Sequence, residues 1–186
     1  MTHSDKITQL FALYEQHGNN EYIGEPVTIL EHSVQSAQLA EAEGYDEEVI
    51  LAALFHDIGH LMPMDSHEDM DGLGHISHEK VGAAYLTEMG FSEKMTFLVN
   101  AHVAAKRYLC FAQPNYFQKL SEASKQTLVF QGGVMDANEA AAFKQHPLFN
   151  LSLRMRVWDE AAKETDQVMP DLAKYKQMAE NCLNHF

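Results

Sequence analysis

The sequence predicts an all-α protein, a single compact helical bundle spanning residues 1–186. Apolar residues recur at helical spacing through most of the chain, capping residues stand ahead of these stretches, and no segment sustains strand alternation. Residues 4 to 17 carry the first such pattern, behind Ser4, and His17-Gly18-Asn19-Asn20 breaks it. A loop from Glu21 to Val27 leads into a helix from about Thr28 to Glu43, closed by Gly44. Asp46 caps a helix with Leu51, Leu54 and Phe55 that is expected to end at Gly59-His60. A polar loop with two glycines covers 61 to 76. Ser77 opens a helix that stops at Gly90, and Ser92 caps one running through Val103 and Lys106. Further helices are expected at about 121–130, 136–145, 149–163 and 171–184, punctuated by Gly132-Gly133 and Pro147.

Composition narrows the function. A chain of 186 residues is long enough to bury a real core as one domain. A formal net charge of −14, spread along the chain, argues against a nucleic-acid backbone as partner and leaves part of the charge as solvated surface. Cys110 and Cys182 form neither a metal spacing nor a disulfide framework, which fits a reducing cytoplasm. No signal peptide opens the chain and no apolar run has membrane-spanning length, so a cytoplasmic protein without a membrane partner is expected.

The chemistry is signalled by His56-Asp57, which interrupts the apolar stretch of residues 51 to 60. A bare carboxylate on a buried face is costly, and a metal ion is the usual way to hold it ionised. Adjacent His and Asp can share one metal, and the second carboxylate oxygen can reach another. His32, His78, His102 and Asp159 each stand in a helical context. The four histidines are separated by 24, 22 and 24 residues, each step about one helix and a return, so they can meet in a bundle core. Imidazole and carboxylate without thiolate suit iron, manganese or zinc. His3, His17, His146 and His185 lie in polar or terminal surroundings and receive no role.

This ordered set resembles the HD-domain superfamily of metal-dependent phosphohydrolases and oxygenases. His78 and His102 supply the extra histidines of a dinuclear site, as in its mixed-valent diiron oxygenases. Longer stretches are similar to the branch that cleaves the C–P bond of 1-hydroxyphosphonates, distant relatives of myo-inositol oxygenase. They include Tyr22-Ile23-Gly24-Glu25, Leu30-Glu31-His32-Ser33, Leu51 through His60, His78 through Ala83, His102 through Tyr108, Gln131-Gly132-Gly133 and Arg156-Val157-Trp158-Asp159. The resemblance implies two iron ions, Fe(II)/Fe(III), with O2 as co-substrate. One iron would take His32, His56, Asp57 and Asp159; the other would take Asp57, His78 and His102, with Asp57 bridging.

By the same resemblance, His60, Lys106 and Arg156 are the candidate cations around a phosphonate, with Ser124, Thr127 and more weakly Gln131 as further donors. Lys106 follows His102 by four residues and Arg156 precedes Asp159 by three, so both share a ligand face. The alternative is that they are surface cations, as neighbouring Arg107 and Arg154 are expected to be, but the substrate role is favoured. Tyr22 and Glu25 are implied in a lid, Tyr22 able to ligate iron before substrate enters; on sequence alone Tyr22 could also be a packed loop aromatic. His60, Lys106, Tyr22 and Glu25 are the implied catalytic set.

The small-molecule substrate is expected to be an (R)-1-hydroxy-2-(trimethylammonio or amino)ethylphosphonate, converted to phosphate and glycine betaine or glycine. Met62, Met64, Asp65, Glu68, Asp69 and Met70 form a loop that fits a quaternary cation slightly better, though it could be a solvated acidic loop. The alternatives are an HD-type phosphohydrolase using a metal-activated water and, third, a non-catalytic metal-dependent sensor.

Overall fold

In the computed structural model, the described residues are 2–22, 24–63 and 69–184. They form α1 (His3–His17), α2 (Ile29–Ala42), α3 (Glu47–Phe55), α4 (His78–Met89), α5 (Glu93–Ala112), α6 (Tyr116–Lys119), α7 (Glu122–Phe130), α8 (Ala137–Lys144), α9 (Phe149–Ala161) and α10 (Ala173–Asn184). A 3-10 turn, Ile58–Leu61, follows α3. Among the described residues the β pairing amounts to two isolated bridges, Glu21 with Thr28 and Asp69 with His75.

The helix starts follow from local chemistry. Thr2, Thr28 and Asp136 each accept from the third residue of their helix, and an acidic side chain there returns the bond. These capping boxes satisfy amide donors that a helix start otherwise leaves open. Asp46, Ser92 and Ser121 cap α3, α5 and α7 with one side-chain bond each. Gly90 ends α4 at φ 97°, a left-handed conformation suited to a residue without Cβ.

Helix α3 is the axis of the core. Val49 through Phe55 are all buried. Helices α2 and α5 pack against α3, α9 packs against α2 and α5, and α1 and α10 close the far side. Leu10, Phe11, Tyr14, Leu54, Phe55, Leu86, Met95 and Trp158 belong to this continuous core. No helix among the described residues is long and apolar enough to cross a membrane.

One boundary and one element differ from the sequence expectation. Helix α3 stops at Phe55 rather than Gly59-His60, because Asp57 leaves helical geometry at φ −104° and ψ 11°. The apolar pattern continues through Ile58 because the turn is itself buried. Its closeness to α4 explains Gly59: a Cβ there would lie 2.0 Å from the carbonyl oxygen of His78. Helix α6 was not expected, since four residues show no helical period.

Candidate metal centre

Five elements converge on one point of the core. His32 comes from α2, His56 and Asp57 from the two residues that follow α3, His78 from the first residue of α4, His102 from the middle of α5 and Asp159 from α9. All six are buried. The histidines form two pairs: His32 Nε2 lies 3.0 Å from His56 Nε2, and His78 Nε2 lies 2.9 Å from His102 Nε2.

Backbone carbonyls fix the tautomer of these four rings. His32 Nδ1–H donates to Ala162 O at 2.9 Å, His56 Nδ1–H to Ala53 O at 2.8 Å, His78 Nδ1–H to His75 O at 3.1 Å and His102 Nδ1–H to Val99 O at 2.7 Å. A carbonyl can only accept, so each Nδ1 carries the proton and each neutral ring presents a lone pair at Nε2. Two lone pairs facing each other at about 3 Å repel unless a proton or a metal ion takes up the charge.

Asp57 spans both pairs. Its Oδ1 is 3.2 Å from His78 Nε2 and 3.3 Å from His102 Nε2; its Oδ2 is 3.3 Å from His56 Nε2 and 3.6 Å from His32 Nε2. Asp159 Oδ1 completes the first group at 3.4 Å from His32 Nε2. Burial works to neutralise Asp57, but the charge of His56 and the hydrogen bond it donates hold the Asp57 carboxyl well below the usual range. Asp159 is likewise held low against burial, chiefly by Arg156. Burial opposes protonation of His56 most strongly, yet the charge of Asp57, the hydrogen bond to it and the charge of Asp159 together outweigh burial and lift the pKa to about 9. A proton and a metal therefore compete for the same lone pair. Four directed imidazoles and two ionised carboxylates, with no thiolate, are a donor set for one or two borderline-hard cations. His32, His56 and Asp57 present ligand atoms within 4.8 Å of one another, as do Asp57, His60 and His78.

The cleft beside this centre is lined by Tyr22, Glu25, Asp57, His60, Met70, Lys106, Ser124, Thr127, Gln131, Arg156 and Asp159, among others. Lys106 and Arg156 are buried rather than surface cations. Arg154, by contrast, pairs with Glu43 at the surface, and Arg107 pairs with Glu139 while donating to the Gly132 and Gly133 carbonyls. Lys106 Nζ donates to Thr127 Oγ1 at 3.0 Å. Burial and the nearby Arg156 charge lower its pKa to about 7. Arg156 pairs with Asp159 and with Glu160, and its remaining NH2 reaches Ser124 Oγ at 3.4 Å. Two buried cations thus converge beside serine and threonine hydroxyls, groups of the kind that can bind an anion.

His60 corrects an expectation. Its Nδ1 accepts from the His75 amide at 3.3 Å, and its ring stacks on His78 at 4.0 Å. Burial, then the neighbouring His78, pushes its pKa well below the usual value, so it is a neutral Nε2–H donor and not a cation. Tyr22 sits over the centre: its hydroxyl donates to Asp57 Oδ2 at 2.8 Å and its ring stacks on His32 at 4.0 Å. Burial and the charges of Asp57 and Asp159 hold it in the phenol form. Met70 is fully buried at the cleft, and Asp69 turns away to cap the Gly72 amide. Met64, Asp65 and Glu68, on which the quaternary head-group expectation leaned, lie outside the described residues, as do Ile23 and His185.

Residues 29–128 match the HD domain family. The chain belongs to it. Beyond this match, it is 42% identical over 173 residues to the [1-hydroxy-2-(trimethylamino)ethyl]phosphonate dioxygenase (glycine-betaine-forming) of Leisingera caerulea, covering 93% of this chain and 88% of that protein. It is 40% identical over 186 residues to the hydroxymethylphosphonate dioxygenase of Gimesia maris, covering 99% and 91%. In this HD-domain protein, sequence reasoning missed the Ala162 carbonyl behind His32, and Tyr116, whose hydroxyl lies 3.2 Å from Arg156 Nε. Neither carries a sequence signal. Glu160 was within reach of sequence reasoning, four residues from Arg156 on one helix face.

Proposed function

We propose that this HD-domain protein is an oxygenase that uses O2 to cleave the C–P bond of a 1-hydroxyphosphonate. The products are phosphate and a carboxylic acid. An (R)-1-hydroxy-2-(trimethylammonio or amino)ethylphosphonate would give glycine betaine or glycine. The observation that carries this reading is the placement of two histidine pairs astride one carboxylate, beside a buried Lys–Arg anion pocket. The names of the two relatives support it.

In this reading His32, His56, Asp57 and Asp159 hold one iron, and Asp57, His78 and His102 hold the other. Bound iron would supply the redox chemistry that activates O2 and oxidises C1. The protein's own part is binding and exclusion. Lys106 and Arg156 neutralise the phosphonate, Ser124 and Thr127 add hydroxyl donors, and the His60 Nε2–H gives a neutral hydrogen bond. Tyr22, now bonded to Asp57, has to withdraw for a substrate oxygen to approach, so substrate arrival is coupled to opening of the centre.

The test is isotopic. Metal-loaded protein given a 1-hydroxyphosphonate should consume O2 and place oxygen from labelled O2 in the carboxylate. Phosphate release at an equal rate under strict anaerobiosis supports the HD phosphohydrolase alternative and overturns this reading.

A further inference from the structure

One ion pair at the edge of the cleft ties Glu25 to a residue not yet given a role. Lys163 lies just beyond α9, with its ammonium 2.5 Å from Glu25 Oε1 and 3.3 Å from Ser121 Oγ. Glu25 lines the cleft, and its side chain is only 9% exposed. A carboxylate so enclosed needs a counter-charge, and Lys163 provides it. Among the described residues of the cleft, Asp57 is engaged by the histidines and Tyr22, and Asp159 by Arg156 and His32. Glu25 is therefore the described acid left to meet a cation on the substrate.

We propose, resting on the 1-hydroxyphosphonate activity above, that Lys163 is a specificity-determining residue that competes with a cationic C2 substituent for Glu25. A cationic head group must displace the Lys163 ammonium and exchanges one charged contact for another, so its net gain is small. A substrate with hydrogen at that end leaves the pair intact. With the Lys163 charge removed, Glu25 becomes an enclosed, uncompensated carboxylate that a cationic substrate neutralises and a hydroxymethyl substrate does not. The same change makes the cleft more negative toward the phosphonate itself, which weakens the hydroxymethyl compound. Both effects move selectivity in one direction. The Leisingera and Gimesia enzymes are named for phosphonates that differ at this very end.

The experiment measures phosphate release with O2 consumption for three substrates: hydroxymethylphosphonate, 1-hydroxy-2-aminoethylphosphonate and its N-trimethyl form. It compares metal-loaded wild type with Lys163→Met and Lys163→Arg. The kcat/KM ratio of cationic to hydroxymethyl substrate should rise about tenfold or more in Lys163→Met, mainly through KM, and stay near wild type in Lys163→Arg. In a Glu25→Gln background, Lys163→Met should leave the ratio unmoved. Lys163→Gln serves as the second neutral variant where Lys163→Met folds poorly. A ratio unchanged in the neutral variants, or an equal loss on every substrate, overturns the proposal while leaving C–P cleavage standing. Absence of O2-dependent phosphate release from all three substrates in wild type sinks the activity itself, and the proposal with it.

Discussion

Replacing Gly59 with alanine tests how tightly the two halves of the metal centre are coupled. The new Cβ would lie 2.0 Å from the His78 carbonyl oxygen, 2.7 Å from its carbonyl carbon and 2.8 Å from its Cα. These are backbone atoms, so no side-chain rotation relieves the clash. Restoring ordinary contact requires the start of α4 to retreat by about 1.4 Å. His78 Nε2 would move with it, away from Asp57 Oδ1 and His102 Nε2, which now lie 3.2 and 2.9 Å away. Functional constellations tolerate roughly 0.5 Å, and a misplacement of about 1 Å can cost ~100-fold in rate. Overpacking of this kind costs about 1–3 kcal/mol, and each kcal/mol lowers Tm by about 2–4 °C in a chain of this size. Metal content per chain, kcat/KM and calorimetric melting should be measured together. The expected result is loss of metal first from the His78–His102 half, a fall of about 100-fold in kcat/KM and a melting point lower by several degrees. Gly82→Ala should do less, because its Cβ would meet the Ile58 side chain at 3.0 Å rather than backbone alone. Two metals per chain and wild-type kcat/KM in Gly59→Ala would refute the coupling.

Three more outcomes follow from the site. Asp57→Ala should lose both metals, since its two oxygens face different histidine pairs; two metals retained by that variant contradict the bridge. With its pKa depressed to about 7, Lys106 is charged below that pH and neutral above it, so phosphonate affinity should fall as pH rises through neutrality. Lys106→Arg should flatten that dependence, and an identical KM–pH profile in both proteins would exclude Lys106 from the anion site. Lys106→Ala and Arg156→Ala should each raise KM by about 10- to 100-fold, the loss of a charge-assisted contact. Metal analysis should separate them: only Arg156→Ala also frees a proposed ligand, Asp159, so it should retain less metal.

The sequence was informative where the determining interactions are local. Asp46 and Ser92 cap helices as expected because a cap joins residues three apart, and Gly90 ends α4 for an equally local reason. The histidine spacing brought His32, His56, His78 and His102 together because each step is one helix and a return. Legibility failed where tertiary contact decides. The end of α3 was misplaced because a buried turn is as apolar as a buried helix. The charge of His60 was misjudged because stacking on His78 and burial are invisible in a sequence. Lys163 escaped notice because it meets Glu25 across 138 residues from an irregular segment.

The carbonyls that hold the histidine rings have an evolutionary consequence. Three of the four belong to the residue three positions earlier in the same turn, at Ala53, His75 and Val99. A main-chain oxygen is present whatever side chain stands above it. Substitution at those positions can alter packing but cannot delete the acceptor, so the donor face of each ring is inherited from the turn itself. The mutational target that could detune these three proposed ligands is thereby reduced to the histidines and to changes that break the turn. Neighbouring positions are left free to drift and reshape the cleft for new substrates without disturbing the ligands.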